Sequence, residues 1–170
     1  MARELLGAIV ISSLGGARVA GRILETEAYL GYDDPASHAY RGRRHPGNQS
    51  LYSPAGFWYV YRSYGVHWCA NLVCGPEGLG SAVLLRGLEL QDGLECARRR
   101  RGAVPDRRIA DGPGKLCQAL AVDRAVDGLR MRTSPVLVRA GERIPAARVT
   151  VTPRVGITRA VEWPLRFVVS

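Results

Sequence analysis

The sequence predicts a single α+β domain: a mixed, largely antiparallel curved β-sheet with flanking helices and a protruding β-hairpin. Three observations carry that expectation. The chain has 170 residues, the size of one domain, and can bury roughly 70% of the surface its unfolded form exposes. Segments rich in β-branched and aromatic residues outnumber segments with helical periodicity. The apparent strands do not alternate regularly with helices, which argues against a doubly wound parallel sheet.

The elements follow in order. "LLGAIVIS" near the start is short and apolar, without a basic flank or a small-residue cleavage site; it reads as a buried strand or helix end of a cytoplasmic protein. "ARVAGRILETEAYL" (17–30) reads as a strand, and "GYDDPASHAYRGRRHPGNQS" (31–50) as a long polar loop of the kind usually kept for function. Residues 57–62 and 66–73 read as two strands joined at Ser63-Tyr64-Gly65, with Gly65 where a positive φ is needed. "SAVLLRGLEL" (81–90) is another apolar strand, interrupted by Arg86. A helix is expected from about Leu90 into "RRRR" (98–101), and "DGPGKLCQALAV" (111–122) reads as a Gly-rich turn feeding a second helix. Three strands close the chain, around 135–139, 147–152 and 165–169.

Charge narrows the function classes. The 24 basic residues outnumber the 15 acidic ones for a net +9, which favours a polyanionic partner. All the basic residues but Lys115 are Arg. The 46% hydrophobic content is that of an ordinary globular chain. No apolar run reaches the roughly 18 residues of a membrane span, so no transmembrane helix is expected; the charge would suit nucleic acid or an anionic membrane surface, and nucleic acid rather than a membrane is taken as the partner. Cys69, Cys74, Cys96 and Cys117 contain no C-x-x-C, and His38, His45 and His67 do not complete a zinc pattern. Neither a metal nor a cofactor is expected, and the cysteines read as reduced structural thiols.

Several residues could carry chemistry. Glu25 and Glu27 share one face of their strand. Cleavage of a glycosidic bond, in a sugar or a nucleoside, needs a carboxylate to activate water or to stabilise an oxocarbenium-like centre. Arg86 is suited to holding such a carboxylate charged and oriented, although an ordinary ion pair would explain it equally well. Trp58, Tyr59 and Trp68 are assigned to packing. Tyr59 and Tyr61 share a face, while Tyr64 falls at the hairpin tip, shaped to enter a groove and intercalate between stacked bases. The "GPGK" turn departs from the nucleotide-binding loop pattern but offers Gly114 and Lys115 for a phosphate contact.

Together the segments "GRILETEAYLG", "DPASHAYRGR", "YVYRSYGVHWCANLV", "VLLRGLE", "GPGKLCQAL" and "RVGITRAVEWPLRF" resemble the alkyladenine (3-methyladenine, or methylpurine) DNA glycosylase family from about Leu5 to the C-terminus. The resemblance implies a monofunctional, cofactor-free enzyme that flips alkylated purines from double-stranded DNA and hydrolyses their N-glycosidic bond, acting as a monomer. It implies Glu27 as the base that activates water and Arg86 as the residue that helps place that water. It implies Tyr29, His38, Tyr61 and Asn71 as base-pocket residues and Tyr64 as the intercalating residue. Three departures stand out. The chain opens at "MARELLG", where family members usually carry a further segment; Val66 stands where Met is usual; and "GNQSLYS" (47–53) diverges. Two competing readings are a DNA-binding module that keeps the hairpin without chemistry, and a carbohydrate glycosidase using Glu25 and Glu27. The second fits poorly, because same-face carboxylates lie closer than the roughly 6.5–9.5 Å an inverting enzyme requires.

Overall fold

Two long strands organise the molecule, because both are apolar over most of their length. The computed structural model describes residues 1–170 and places β1 (Ile9–Ser12), β2 (Val19–Tyr29), β3 (Trp58–Ser63), β4 (His67–Cys74) and β5 (Ser81–Asp92) before the first helix. Helices α1 (Leu94–Arg101) and α2 (Pro113–Leu120) follow, then β6 (Val136–Arg139), β7 (Val149–Thr152) and β8 (Arg166–Val169). The strands form one curled sheet in the order β3-β4-β5-β2-β1-β6. β2 lies along β5 on one edge; its other edge is shared by β1 at Val19–Arg22 and β8 at Glu25–Glu27, with β7 outside β8. Every pairing is antiparallel.

The helices cover one face. Leu116 and Leu120 of α2 are fully buried with Ile23, Val60, Leu72, Val83 and Leu85. Pro113 starts α2, where its missing N–H costs nothing. The first helix begins at Leu94 rather than near Leu90, because Leu90 and Asp92 remain paired with β2. Gly93, at φ 74°, then turns the chain against Arg18. A Cβ there would sit 2.3 Å from the Arg18 carbonyl oxygen, so only glycine fits.

Strand alternation sorts the other face. Trp58, Val60, Ala70, Leu72, Val83 and Leu85 point into the core, leaving Tyr59, Tyr61, Asn71, Ala82 and Leu84 on the concave side. Between β2 and β5 the register skips Leu24 on one strand and Arg86 on the other. These opposed bulges bend the pair and change which side chains face inward. Ile23 before them is in the core, whereas Glu25, Glu27 and Tyr29 after them reach the concave face; Thr26 and Ala28 turn to the core side. Gly87 stands opposite Glu25, where any Cβ would press on the Glu25 Cβ at 3.1 Å.

The 31–50 loop contains a 3-10 turn at Tyr40–Gly42 and leads into another at Gln49–Tyr52. It folds over the concave face, where Ala39, Leu51 and Tyr52 form a second small core with Tyr59, Val73 and Ala82. All four cysteines are free. No helix is long and apolar enough to cross a membrane.

Candidate active site

The concave face, the 31–50 loop and the segment after β7 enclose a cleft of about 980 Å³. Its walls include Tyr29, His38, Tyr61, Asn71 and Arg86, and its rim carries Tyr64, Gly114 and Lys115. Residues named from widely separated parts of the sequence therefore meet at one place. Glu27 lies beneath them.

Glu27 is completely buried. Its Oε1 accepts the Val155 N–H at 2.8 Å and its Oε2 accepts the Tyr29 hydroxyl at 3.0 Å. Arg86 Nε stands 3.3 Å from Oε1. Burial pushes the Glu27 carboxyl above its ordinary value, and the charge of Glu25 adds to that; Arg86, the Val155 amide and Tyr29 pull the other way without cancelling it. Burial and the neighbouring Glu27 charge raise the Tyr29 phenol, which remains a hydrogen-bond donor.

Glu25 behaves differently. Burial also pushes its carboxyl up, but hydrogen bonds from Arg166 and Arg86, at 2.6 and 2.8 Å, hold it below the ordinary value. Arg86 is thus bonded more closely to Glu25 than to Glu27. The arginine that interrupts the apolar run of β5 binds both carboxylates, and the skipped register aims it there.

Aromatic rings wall the cleft above. Tyr59 and Tyr61 stack with centroids 5.3 Å apart, and His38 meets Tyr61 edge-on at 4.5 Å. His38 Nδ1 lies 2.6 Å from the Tyr59 hydroxyl. Enclosure of the imidazole, reinforced by His45 and Arg43, lowers the His38 pKa, although part of the residue stays open to the cleft. Tyr59 thus does more than pack: it belongs to the cleft wall and ties the loop to the sheet. Its period-two relation to Tyr61 was the available signal. Asn71 donates through Nδ2 to the Tyr59 and Cys69 carbonyls at 3.2 and 3.4 Å, which fixes its amide at the back of the cleft.

At the hairpin tip Tyr64 is 90% exposed. The loop between paired Ser63 and His67 puts both Tyr64 and Gly65 at positive φ, 49° and 69°. Gly65 meets the expectation for that turn; a tyrosine in the same region is strained. The start of α2 packs beneath the hairpin so closely that a Cβ on Gly114 would lie 2.7 Å from the His67 Cβ. Lys115 reaches the rim but bonds to Asp111 at 2.7 Å. Most of the "RRRR" run is likewise engaged: Arg98 pairs with Asp106, Arg100 bonds the Ala119 and Leu14 carbonyls, and Arg101 bonds that of Ile109. Arg43, Arg62, Arg101 and Arg159 surround the mouth with positive charge.

Val155 carries no side-chain signal that a reading of residue types could find, because it contributes a backbone N–H. No group of three or more His, Cys, Asp or Glu side chains is arranged to hold a metal ion.

Comparison with known proteins places this arrangement. A protein named "Putative 3-methyladenine DNA glycosylase" from Rhodopseudomonas palustris is 47% identical over 167 residues, covering 98% of this chain and 77% of the relative. Proteins of the same name from Agrobacterium fabrum and Methanoculleus marisnigri are 46% and 44% identical, each covering 98% of this chain and 81% and 87% of the relative. The model of the methylpurine-DNA glycosylase family matches residues 1–170. The chain belongs to the methylpurine-DNA glycosylase family, hydrolases acting on N-glycosyl bonds.

Proposed function

We propose that residues 1–170 form one monofunctional DNA glycosylase domain that flips alkylated purines out of double-stranded DNA and hydrolyses their N-glycosidic bond. The observation that carries this reading is the fully buried Glu27, held by the Val155 N–H and the Tyr29 hydroxyl beneath an aromatic cleft ringed by arginines. The names of the relatives support the choice of lesion.

In this mechanism Tyr64 enters the base stack and fills the space left by the departing nucleotide, while the rim cations hold the backbone. The extruded purine enters the cleft against the wall formed by Tyr29, His38 and Tyr61, with Tyr59 packed in support of the last two. Alkylation at N3 or N7 makes the purine cationic, so facing electron-rich rings gains about 1–2 kcal/mol. Asn71 bounds the pocket and disfavours guanine by crowding its 2-amino group. The ionised Glu27 accepts a proton from water as the water oxygen bonds to C1′ of the deoxyribose. Arg86 positions that water with the carboxylate. The C1′–N bond breaks with its electrons on the purine, which leaves neutral, so little acid assistance is required. Gly114 and Lys115 are assigned a phosphate contact; Lys115, engaged with Asp111, is not assigned a Schiff base. The reaction is assigned no cofactor or metal, and the enzyme is taken to act as a monomer in the cytoplasm.

The test is base release from alkylated duplex DNA without added metal, comparing wild type with Glu27→Gln. Release by wild type alone supports the reading. Duplex binding by folded wild type with no release refutes it in favour of a binding module.

A further inference from the structure

Asp34 and Arg154 lie 120 residues apart in sequence and form the one ion pair whose two side chains are both 0% exposed. Arg154 donates through Nη1 to Asp34 Oδ2 at 2.5 Å and through Nη2 to Oδ1 at 2.8 Å. Nη1 also donates to the Ala28 carbonyl at 3.0 Å, and the guanidinium lies 4.7 Å from the Tyr29 ring centroid. The carboxylate of Asp34 in turn accepts the Leu30 and Ala36 amides, each at 3.0 Å. The pair therefore clamps the end of β2, the first turn of the 31–50 loop and the segment after β7.

Stability is a poor explanation for this clamp. Buried ion pairs often do no better than well-packed apolar residues of the same volume. Here Arg154 Nε is the one buried side-chain nitrogen or oxygen without a hydrogen-bond partner, an additional cost. What the fork does supply is orientation. Val155, whose N–H reaches Glu27 Oε1, is the next residue along, and Tyr29, whose hydroxyl reaches Oε2, lies against the guanidinium.

We propose that the Asp34–Arg154 pair is a positioning device that sets the orientation and charge state of Glu27 by fixing its Val155 and Tyr29 donors. This rests on the reading of Glu27 as the base. The charged and titratable groups facing Glu27 are Tyr29 and Glu25 from β2, Cys69 from β4 and Arg86 from β5; Arg166 of β8 reaches it only through Glu25. The Val155 amide is among the influences that lower the Glu27 pKa. Loosening it moves the acid limb of the rate–pH profile to higher pH.

The experiment measures single-turnover base release against pH, duplex affinity and melting temperature for Arg154→Lys, Asp34→Asn and the apolar double variant Arg154→Met with Asp34→Leu. Glu27→Gln runs alongside. The expected result is a rate lowered about tenfold to a hundredfold, an acid limb moved up, and unchanged duplex affinity. The double variant leaves the Leu30 and Ala36 amides without their acceptor and is expected to melt lower while staying folded; the moved acid limb, read below its melting temperature, is what a structural role alone does not produce. A folded double variant with wild-type rate and acid limb overturns the proposal, and so does an Arg154→Lys enzyme with both unchanged. If Glu27→Gln keeps the full rate, the reading of the base itself has failed and the positioning role falls with it.

Discussion

Glu25 and Glu27 stand two residues apart on one strand, share one arginine, and are displaced in opposite directions from the ordinary carboxylate pKa. Glu25 has two guanidinium partners at 2.8 Å or closer; Glu27 has one at 3.3 Å and is completely enclosed. Neighbouring carboxylates whose environments push them apart are the usual basis for assigning different roles. Glu25 fixes Arg86, and in the proposed mechanism Glu27 is left as the proton acceptor.

Glu27→Gln is expected to lower base release by about 10²–10⁴-fold while leaving duplex binding intact. Its stability carries a second signature. Because folding raises the Glu27 pKa, ionisation opposes folding; the native advantage is present below the unfolded-state pKa and lost as pH rises through the native value. The melting temperature of the variant, measured from about pH 4 to 8, should gain on wild type as pH rises. A gap that stays constant would show that Glu27 does not titrate in that window.

Glu25→Gln removes a negative charge that raises the Glu27 pKa and frees Arg86 to turn fully toward Glu27. Both changes favour the ionised base. The acid limb of base release should therefore move to lower pH, opposite in direction to the shift expected on breaking the Asp34–Arg154 clamp. A pH–rate profile of the variant decides the point, and a limb displaced upward would mean that Arg86 had lost its place.

Tyr64→Asn is expected to stabilise the free protein by about 1 kcal/mol, because a left-handed backbone costs ordinary side chains about 1–2 kcal/mol and asparagine tolerates it better. In a chain of this size that corresponds to about 2–4 °C in melting temperature. Base release should nevertheless fall. For Tyr64→Ala, extrusion followed by the fluorescence of an unstacked base analogue should weaken more than affinity for undamaged duplex. Equal losses would count against intercalation.

Asp111→Asn removes the acidic partner of the single lysine. Duplex affinity should rise at low salt, and the slope of log K against log salt should steepen by about 0.9 if the released Lys115 engages one phosphate. Titration at several salt concentrations reads this directly. An unchanged slope would assign Lys115 to the protein surface alone.

Much of this could be read from the sequence, for identifiable reasons. The strand at 17–30, the hairpin at Ser63-Tyr64-Gly65 and the closing strands appeared because their apolar and turn residues repeat with local periods. Glu27, Arg86 and Tyr64 stood out because each breaks its local pattern. Tyr59 did not stand out, since a buried tyrosine on a strand has an ordinary explanation in packing. The start of α1 was displaced because the propensity of Leu90–Asp92 yielded to pairing with β2. Asp34, Arg154 and the Val155 amide were hidden for another reason: their roles arise only when chain segments far apart in sequence are brought together.

The opposed bulges at Leu24 and Arg86 act as a change of reading frame between the two halves of β2. Ile23 is spelled for the core and Glu25 for the cleft, although simple alternation would give both the same side. A regular ladder between the same end pairs, Ile23 with Leu88 and Thr26 with Leu85, would need only that Leu24 pair with Gly87 and Glu25 with Arg86. That competing register would drive two carboxylates and Arg86 into the apolar layer and turn Thr26 and Ala28, with their partners Leu85 and Val83, toward the cleft. What weighs against it is the cost of burying those charges among apolar groups, away from the Val155, Tyr29 and Arg166 donors that bond them in the cleft. The acidic side chains thus favour the frame in which they find partners, and a β2 carrying leucine at both positions would lose that preference.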